Sequence, residues 1–138
     1  MSYDRNNVFA KILRGEIPSV KVYEDNHTLA FMDVMPQADG HTLVIPKEEA
    51  EDFFALSPEG AHHLIAATQK VARAVKKAMG CEGVMLAQLN GSAAGQTVFH
   101  VHFHIIPRSG GADFRLHARE MENPDKLKTF AEKINAAL

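Results

Sequence analysis

The residues that invite a chemical reading stand together, as His100-Val101-His102-Phe103-His104-Ile105-Ile106. Side chains alternate faces along a strand, so His100, His102 and His104 are expected on one face and Val101, Phe103 and Ile105 on the other. Same-face neighbours then lie ~6–7 Å apart. The apolar face would anchor the strand to the core, and the histidine face would look into a cleft. Eight histidines occur among 138 residues, which makes an accidental His-x-His-x-His a roughly 2–3% event.

Three explanations compete for that face. A partly solvated polar sheet surface is the plainest, although imidazoles are neither strong strand formers nor reliably charged. Alternating histidines can also present nitrogen ligands to zinc, but the single cysteine, Cys81, is just past a helix end. The third is nucleophilic catalysis, with one imidazole attacking while others orient it and manage protons. A neutral imidazole is available near pH 7 and suits phosphoryl chemistry. The loop before the histidines tips the balance toward phosphate. Gly91-Ser92-Ala93-Ala94-Gly95 is a run of small residues whose backbone amides could cradle phosphate oxygens, and Gln96 and Thr97 add an amide and a hydroxyl.

The elements that must carry these groups can be read from periodicity. Val8, Phe9, Ile12 and Leu13 fall at helical spacing within 4–14, with Gly15 as a stop. Val20–Glu24 and Thr28–Asp33 read as strands joined by Asp25-Asn26, and a third strand spans His41–Ile45, ended by Pro46. Lys47–Leu56 reads as a short helix. Ser57-Pro58 opens a long one, with Leu64, Ile65, Thr68, Val71, Ala72, Val75 and Met79 as its apolar stripe and Gly80 as its stop. A strand near Val84–Leu89 precedes the histidine strand His100–Ile106, which Pro107 stops. Asn123-Pro124 opens a terminal helix carrying Leu127, Phe130, Ala131, Ile134 and Leu138. Strand pairs beside one long helix predict an α+β domain on an antiparallel sheet.

Composition narrows the class. A chain of 138 residues, 46% hydrophobic and 23% charged, fits one domain spanning 1–138. A net charge of -2 argues against nucleic-acid binding. One cysteine allows no intrachain disulfide and suits a reducing compartment. The polar start, Met1 to Lys11, lacks a signal core, and no apolar run approaches the ~20 residues that span a bilayer. A cytoplasmic protein without membrane contact is expected.

In these residues the sequence resembles the Hint-like branch of the histidine triad (HIT) superfamily. The resemblance rests on 100–106 and on Val8-Phe9-Ala10-Lys11-Ile12-Leu13-Arg14-Gly15-Glu16-Ile17-Pro18. It also rests on Ala30-Phe31-Met32-Asp33, Pro36-Gln37-Ala38, His41-Thr42-Leu43-Val44-Ile45-Pro46-Lys47, Asn90-Gly91 and Ala94-Gly95-Gln96-Thr97. It runs to about residue 108. The resemblance implies a HIT-like fold, a five-stranded antiparallel sheet with a long helix and a terminal helix, in a homodimer built on the long helix and the strand near Val84–Leu89.

The resemblance further implies hydrolysis at the α-phosphate of AMP or GMP conjugates through a nucleotidyl-histidine. His102 matches the nucleophile, His104 the histidine near the bridging atom, His100 the residue orienting the nucleophile, and His41 a fourth, supporting histidine. Gln96 and Thr97 match phosphate-side groups, beside Asn90 and Gly95. Asp33 matches the carboxylate that holds the ribose hydroxyls, and Val8, Phe9, Ile12, Phe31, Val34 and Leu43 match the slot for base and sugar. Phosphoramidates, aminoacyl-adenylates and dinucleoside polyphosphates all fit as substrates, and a non-catalytic nucleotide-binding module is the alternative. Many bacterial members hold zinc through two cysteines, a later histidine and a triad histidine. Asn7, Ala10 and Glu49 stand at the first three of those positions here, so no metal and no cofactor are expected. Leu89 stands where members usually carry a phosphate-contacting asparagine. The tail from Ser109 has no counterpart and is a candidate for leaving-group selection.

Overall fold

A computed structural model of the chain describes residues 3–109 and 120–138. Most of the stretch between the histidine strand and the terminal helix, 110–119, lies outside the described residues, and with it that part of the tail assigned to leaving-group selection. The elements follow in the order α1 (Val8–Leu13), β1 (Lys21–Glu24), β2 (Thr28–Met32), β3 (Thr42–Pro46), α2 (Pro58–Met79), β4 (Gly83–Ala87), a 3-10 turn (Ser92–Ala94), β5 (Phe103–Arg108) and α3 (Pro124–Ala136). The strands form one sheet in the order β1-β2-β3-β5-β4, antiparallel throughout. The expected α+β architecture is therefore present. Among the described residues no helix is long and apolar enough to cross a membrane.

Local chemistry sets the helix ends. Asn7 caps α1 by accepting from the Ala10 amide at 2.8 Å, and Ser57 caps α2 by accepting from the Gly60 amide at 2.9 Å. Each such cap stabilises by ~1 kcal/mol. Gly80 closes α2 in the left-handed region.

The period-2 alternation of the strands sorts the core into two faces. Ala30, Met32, Val44 and Ile105 pack under Leu64, Val71 and Val75 of α2 and Leu127, Ala131 and Ile134 of α3. Leu29, Phe31, Leu43 and Ile45 point the other way, against Phe9 of α1. That second, thinner face carries the histidines.

Several expectations need correction. The histidine strand begins at Phe103, not His100. Residue 101 gives its amide to Ala50 O at 2.9 Å, and the last β3 register pair is Val44↔Phe103, so no strand ladder forms earlier. Pro107 does not end that strand. Beyond Ile105, β5 pairs with β4 alone, through Val84↔Pro107 and Gly83↔Arg108, so the amide that proline lacks need not serve a β3 partner. Finally, Lys47–Leu56 is not helical. Its polar groups bond at long range: Ala50 O to Val101 N, Glu51 O to the Gln96 amide at 2.7 Å, and Phe53 N to Asn90 Oδ1 at 2.8 Å. Ile65, read as part of the apolar stripe of α2, is 50% exposed.

Candidate active site

Strand register brings Phe31 of β2, Leu43 of β3 and His104 of β5 into one row across the inner strands. Asp33 follows β2 and His41 precedes β3, and the Asp33 amide donates to His41 O at 3.0 Å, so the two side chains flank the end of that row. The turn that delivers His41 needs Gly40. Its φ is +90°, and a Cβ there would sit 2.7 Å from Met79 Cγ at the end of α2.

The hydrogen bonds assign the imidazole tautomers. His41 Nδ1 accepts from the Gln37 amide at 3.0 Å, so its proton is on Nε2. That Nε2 lies 3.0 Å from His104 Nδ1 and 3.4 Å from Asp33 Oδ2. His104 Nδ1 is therefore an acceptor, and His104 carries its proton on Nε2. His102 is the opposite: its Nδ1 lies 2.7 Å from the carbonyl of His100, which can only accept, so Nδ1 is protonated and Nε2 holds the lone pair. The two rings are 5.0 Å apart between centroids. One presents a base or nucleophile and the other a donor. Phe9 meets His102 edge-on at 4.9 Å and Phe31 at 5.4 Å, which fixes the ring from the apolar side. His100 is fully buried, and burial holds its pKa below the ordinary imidazole value, so it stays neutral.

A cavity of about 340 Å³ opens beside these rings. Of the residues named from sequence, Val8, Phe9, Ile12, Phe31, Asp33, Val34, Leu43, Thr97, His102 and His104 line it. His41 and His100 sit behind that wall and reach it through His104 and His102. Asn90, Gly95 and Gln96 do not line it. The buried Gln96 side chain accepts from the Gly91 amide at 2.7 Å and donates to Glu51 O and Val98 O at 2.7 and 3.0 Å, which makes it a brace for the loop. Asn90 accepts from the Phe53 amide and exchanges two bonds with Gln88.

Part of the expected cradle is committed within the small-residue loop itself. The amides of Gly91, Ala94, Gly95 and Gln96 all donate within the loop. Ile17, Pro18, Ser19, Met32, Met35 and Val98 complete the lining. Ile17-Pro18 belonged to the motif quoted above, but nothing in its sequence told that the chain after α1 folds back over the cleft.

Two metal arrangements were open. Asp33, His41 and His104 place one ligand atom each within 4.8 Å of one another. That donor set suits a cation chemically, but Gln37 already holds His41 Nδ1, and a metal would displace the His41–His104 hydrogen bond. At the other place, Asn7 caps α1, Ala10 is buried and Glu49 pairs with Arg5 at 3.2 Å. Those three side chains offer no thiolate or imidazole.

The family model described as HIT domain matches residues 14–111. "Protein hit" of Bacillus subtilis is 42% identical over 134 residues, covering 94% of this chain and 92% of that protein. Adenosine 5'-monophosphoramidase hnt1 of Schizosaccharomyces pombe is 38% identical over 139 residues, covering 95% of this chain and 97% of that protein. The crystal structure of a Hit-like protein involved in cell-cycle regulation from Bartonella henselae, with an unknown ligand, superposes with a TM-score of 0.95. It is 48% identical over the whole of both chains.

Proposed function

The chain belongs to the HIT domain family, and on that footing we propose that it hydrolyses nucleotide conjugates at the α-phosphorus, purine nucleoside phosphoramidates foremost. The observation that carries this is the pair of opposite tautomers on one cavity, the lone pair on His102 Nε2 and the proton on His104 Nε2. A binding module has no need of both.

The nucleoside enters the apolar slot of Phe9, Ile12, Phe31 and Leu43, with its ribose hydroxyls against Asp33. His102 Nε2 attacks the α-phosphorus, the P–N bond of the substrate breaks, and the leaving amine takes a proton from solvent while His104 Nε2–H holds it by a hydrogen bond. The positive charge gained by the His102 ring is held by its Nδ1–H on His100 O. Water then attacks the nucleotidyl-histidine and releases its proton to solvent. The N–P bond breaks, a nucleoside monophosphate leaves, and His102 regains its Nε2 lone pair while His104 keeps its Nε2 proton throughout. Thr97, on the cavity wall, offers its hydroxyl to the phosphate; Gln96, Asn90 and Gly95 act by holding that loop. The name of the fission yeast relative supports an amine as leaving group.

We also propose a homodimer. β4 is an edge strand, and Leu86 on it, Ile65 on α2 and Phe54 before α2 are 49%, 50% and 82% exposed. Cytoplasmic residence agrees with the lone Cys81.

The test is a panel of adenosine phosphoramidate, lysyl-adenylate and diadenosine polyphosphates, with acid-sensitive trapping of the intermediate. Wild type should turn over the phosphoramidate fastest and show a transient adduct, and His102→Ala should bind AMP but release nothing. Preference for diadenosine polyphosphates would reassign the substrate. Full turnover by His102→Ala would remove the nucleophile, and AMP binding without turnover by wild type would leave a binding module.

A further inference from the structure

The mechanism above uses His100 through its backbone carbonyl, yet its imidazole is completely buried and engaged at both nitrogens. Nε2 lies 2.8 Å from the carbonyl of Pro46. A carbonyl accepts and never donates, so Nε2 bears the proton and Nδ1 the lone pair. The hydroxyl of Tyr3 is hydrogen-bonded to that Nδ1 and must therefore donate to it. The two rings also meet edge-on, with centroids 5.6 Å apart at 72°.

We propose that Tyr3 is a positioning residue for the nucleophile: its hydroxyl locks the His100 ring against Pro46 and thereby fixes the carbonyl on which His102 is hung. The relay runs from the Tyr3 hydroxyl to His100 Nδ1, through that residue's backbone to His100 O, and on to His102 Nδ1. The peptide is clamped on its far side too, because the Val101 amide donates to Ala50 O at 2.9 Å. With ring and peptide both held, His100 O has one position, and His102 one tautomer. Tyr3 itself does not line the cavity.

The charged groups nearby do not compete for this task. Glu49 faces both His100 and Tyr3, and Arg14 and Asp4 act on Tyr3 at longer range. Burial raises the Tyr3 pKa, so the hydroxyl keeps the proton it donates. Burial likewise keeps His100 neutral, as an acceptor must be.

This assignment rests on His102 acting as the nucleophile, so its test needs a readout that does not depend on turnover. Tyr3→Phe keeps the ring that packs on His100 and removes the donor alone. Long-range 15N–1H spectra of the histidine side chains should show one tautomer each for His100 and His102 in wild type and mixed tautomers in Tyr3→Phe. With adenosine phosphoramidate, kcat should fall about ten-fold, the equivalent of one net hydrogen bond, while KM changes less than two-fold. Unchanged spectra and unchanged kcat in Tyr3→Phe would overturn the proposal and leave Tyr3 a packing residue. A rise in KM alone would overturn it as well. If wild type turned over no substrate, the proposed reaction would fail while the tautomer spectra still decided the role of Tyr3.

Discussion

Replacing His41 by phenylalanine separates a histidine that sets the tautomer of its neighbour from one that merely fills the core. His41 is 1% exposed, and phenylalanine occupies similar space without either nitrogen. The Gln37 amide and His104 Nδ1 would each lose a partner at 3.0 Å, while Asp33, whose side chain is 18% exposed, can turn to water. A buried donor or acceptor deprived of its partner costs ~1–3 kcal/mol, so the fold should lose about 2–4 kcal/mol. For a chain of this size that lowers Tm by roughly 6–15 °C. Catalysis should suffer separately. Without the His41 proton on Nδ1, the preference of His104 for its Nε2–H tautomer weakens by ~1 kcal/mol, which lowers kcat about five- to ten-fold. KM should hardly move, because His41 does not line the cavity. Steady-state hydrolysis of adenosine phosphoramidate well below the mutant's Tm, together with thermal melting, reads both effects. A lowered Tm with full kcat would refute the tautomer argument, and a raised KM at constant kcat would show that His41 acts on binding.

Three other outcomes are expected. Light scattering should give twice the 15.2 kDa chain mass, and Leu86→Arg on the β4 edge should return the monomer; a monomeric wild type at micromolar concentration contradicts the interface. Activity should survive a chelator, and elemental analysis should find no stoichiometric zinc, since Asn7, Ala10 and Glu49 are occupied in capping, packing and an ion pair; zinc lost together with activity would refute this. Asp25 governs acid stability: burial alone would raise its pKa, but bonds from the Tyr23 hydroxyl, the His27 and Thr28 amides and the Thr28 hydroxyl outweigh it and lower the pKa from 3.8 to about 2. The depressed pKa makes its contribution, ~1–2 kcal/mol after discounting for solvent, fully present above the unfolded value and lost as pH falls through the folded one. The stability gap between wild type and Asp25→Ala in urea should therefore narrow between pH 4 and pH 2, and a gap constant over that range would refute it.

What was legible in the sequence was whatever repeats at short range. The alternation that puts His102 and His104 on one face and the serine-proline start of α2 are local patterns, and the structure has both; Phe9, Phe31 and Leu43, named through the family resemblance, line one cavity. Misjudged features depend on partners far along the chain. Residues 47–56 have ordinary helix-forming composition, but Ala50, Glu51 and Phe53 bond to the lead-in of β5. His100 leaves the strand because Pro46 O meets its ring. Gln96 reads as a phosphate ligand by position, and only its three contacts make it a brace. Tyr3 carried no signal at all, since its partner lies at the other end of the sequence.

The row Phe31–Leu43–His104 bears on how the protein comes into being. The β2–β3 pair closes over a short connection, whereas β3 meets β5 only after the whole of α2 and β4 has been placed between them. Closing a longer loop costs more chain entropy, and non-local pairings form late in folding. The proposed nucleophile and the proposed sugar slot are thus made by different stages of one folding reaction. A molecule interrupted between those stages would have its nucleoside slot half built and no reactive imidazole beside it, so a newly synthesised chain acquires its chemistry after most of its shape.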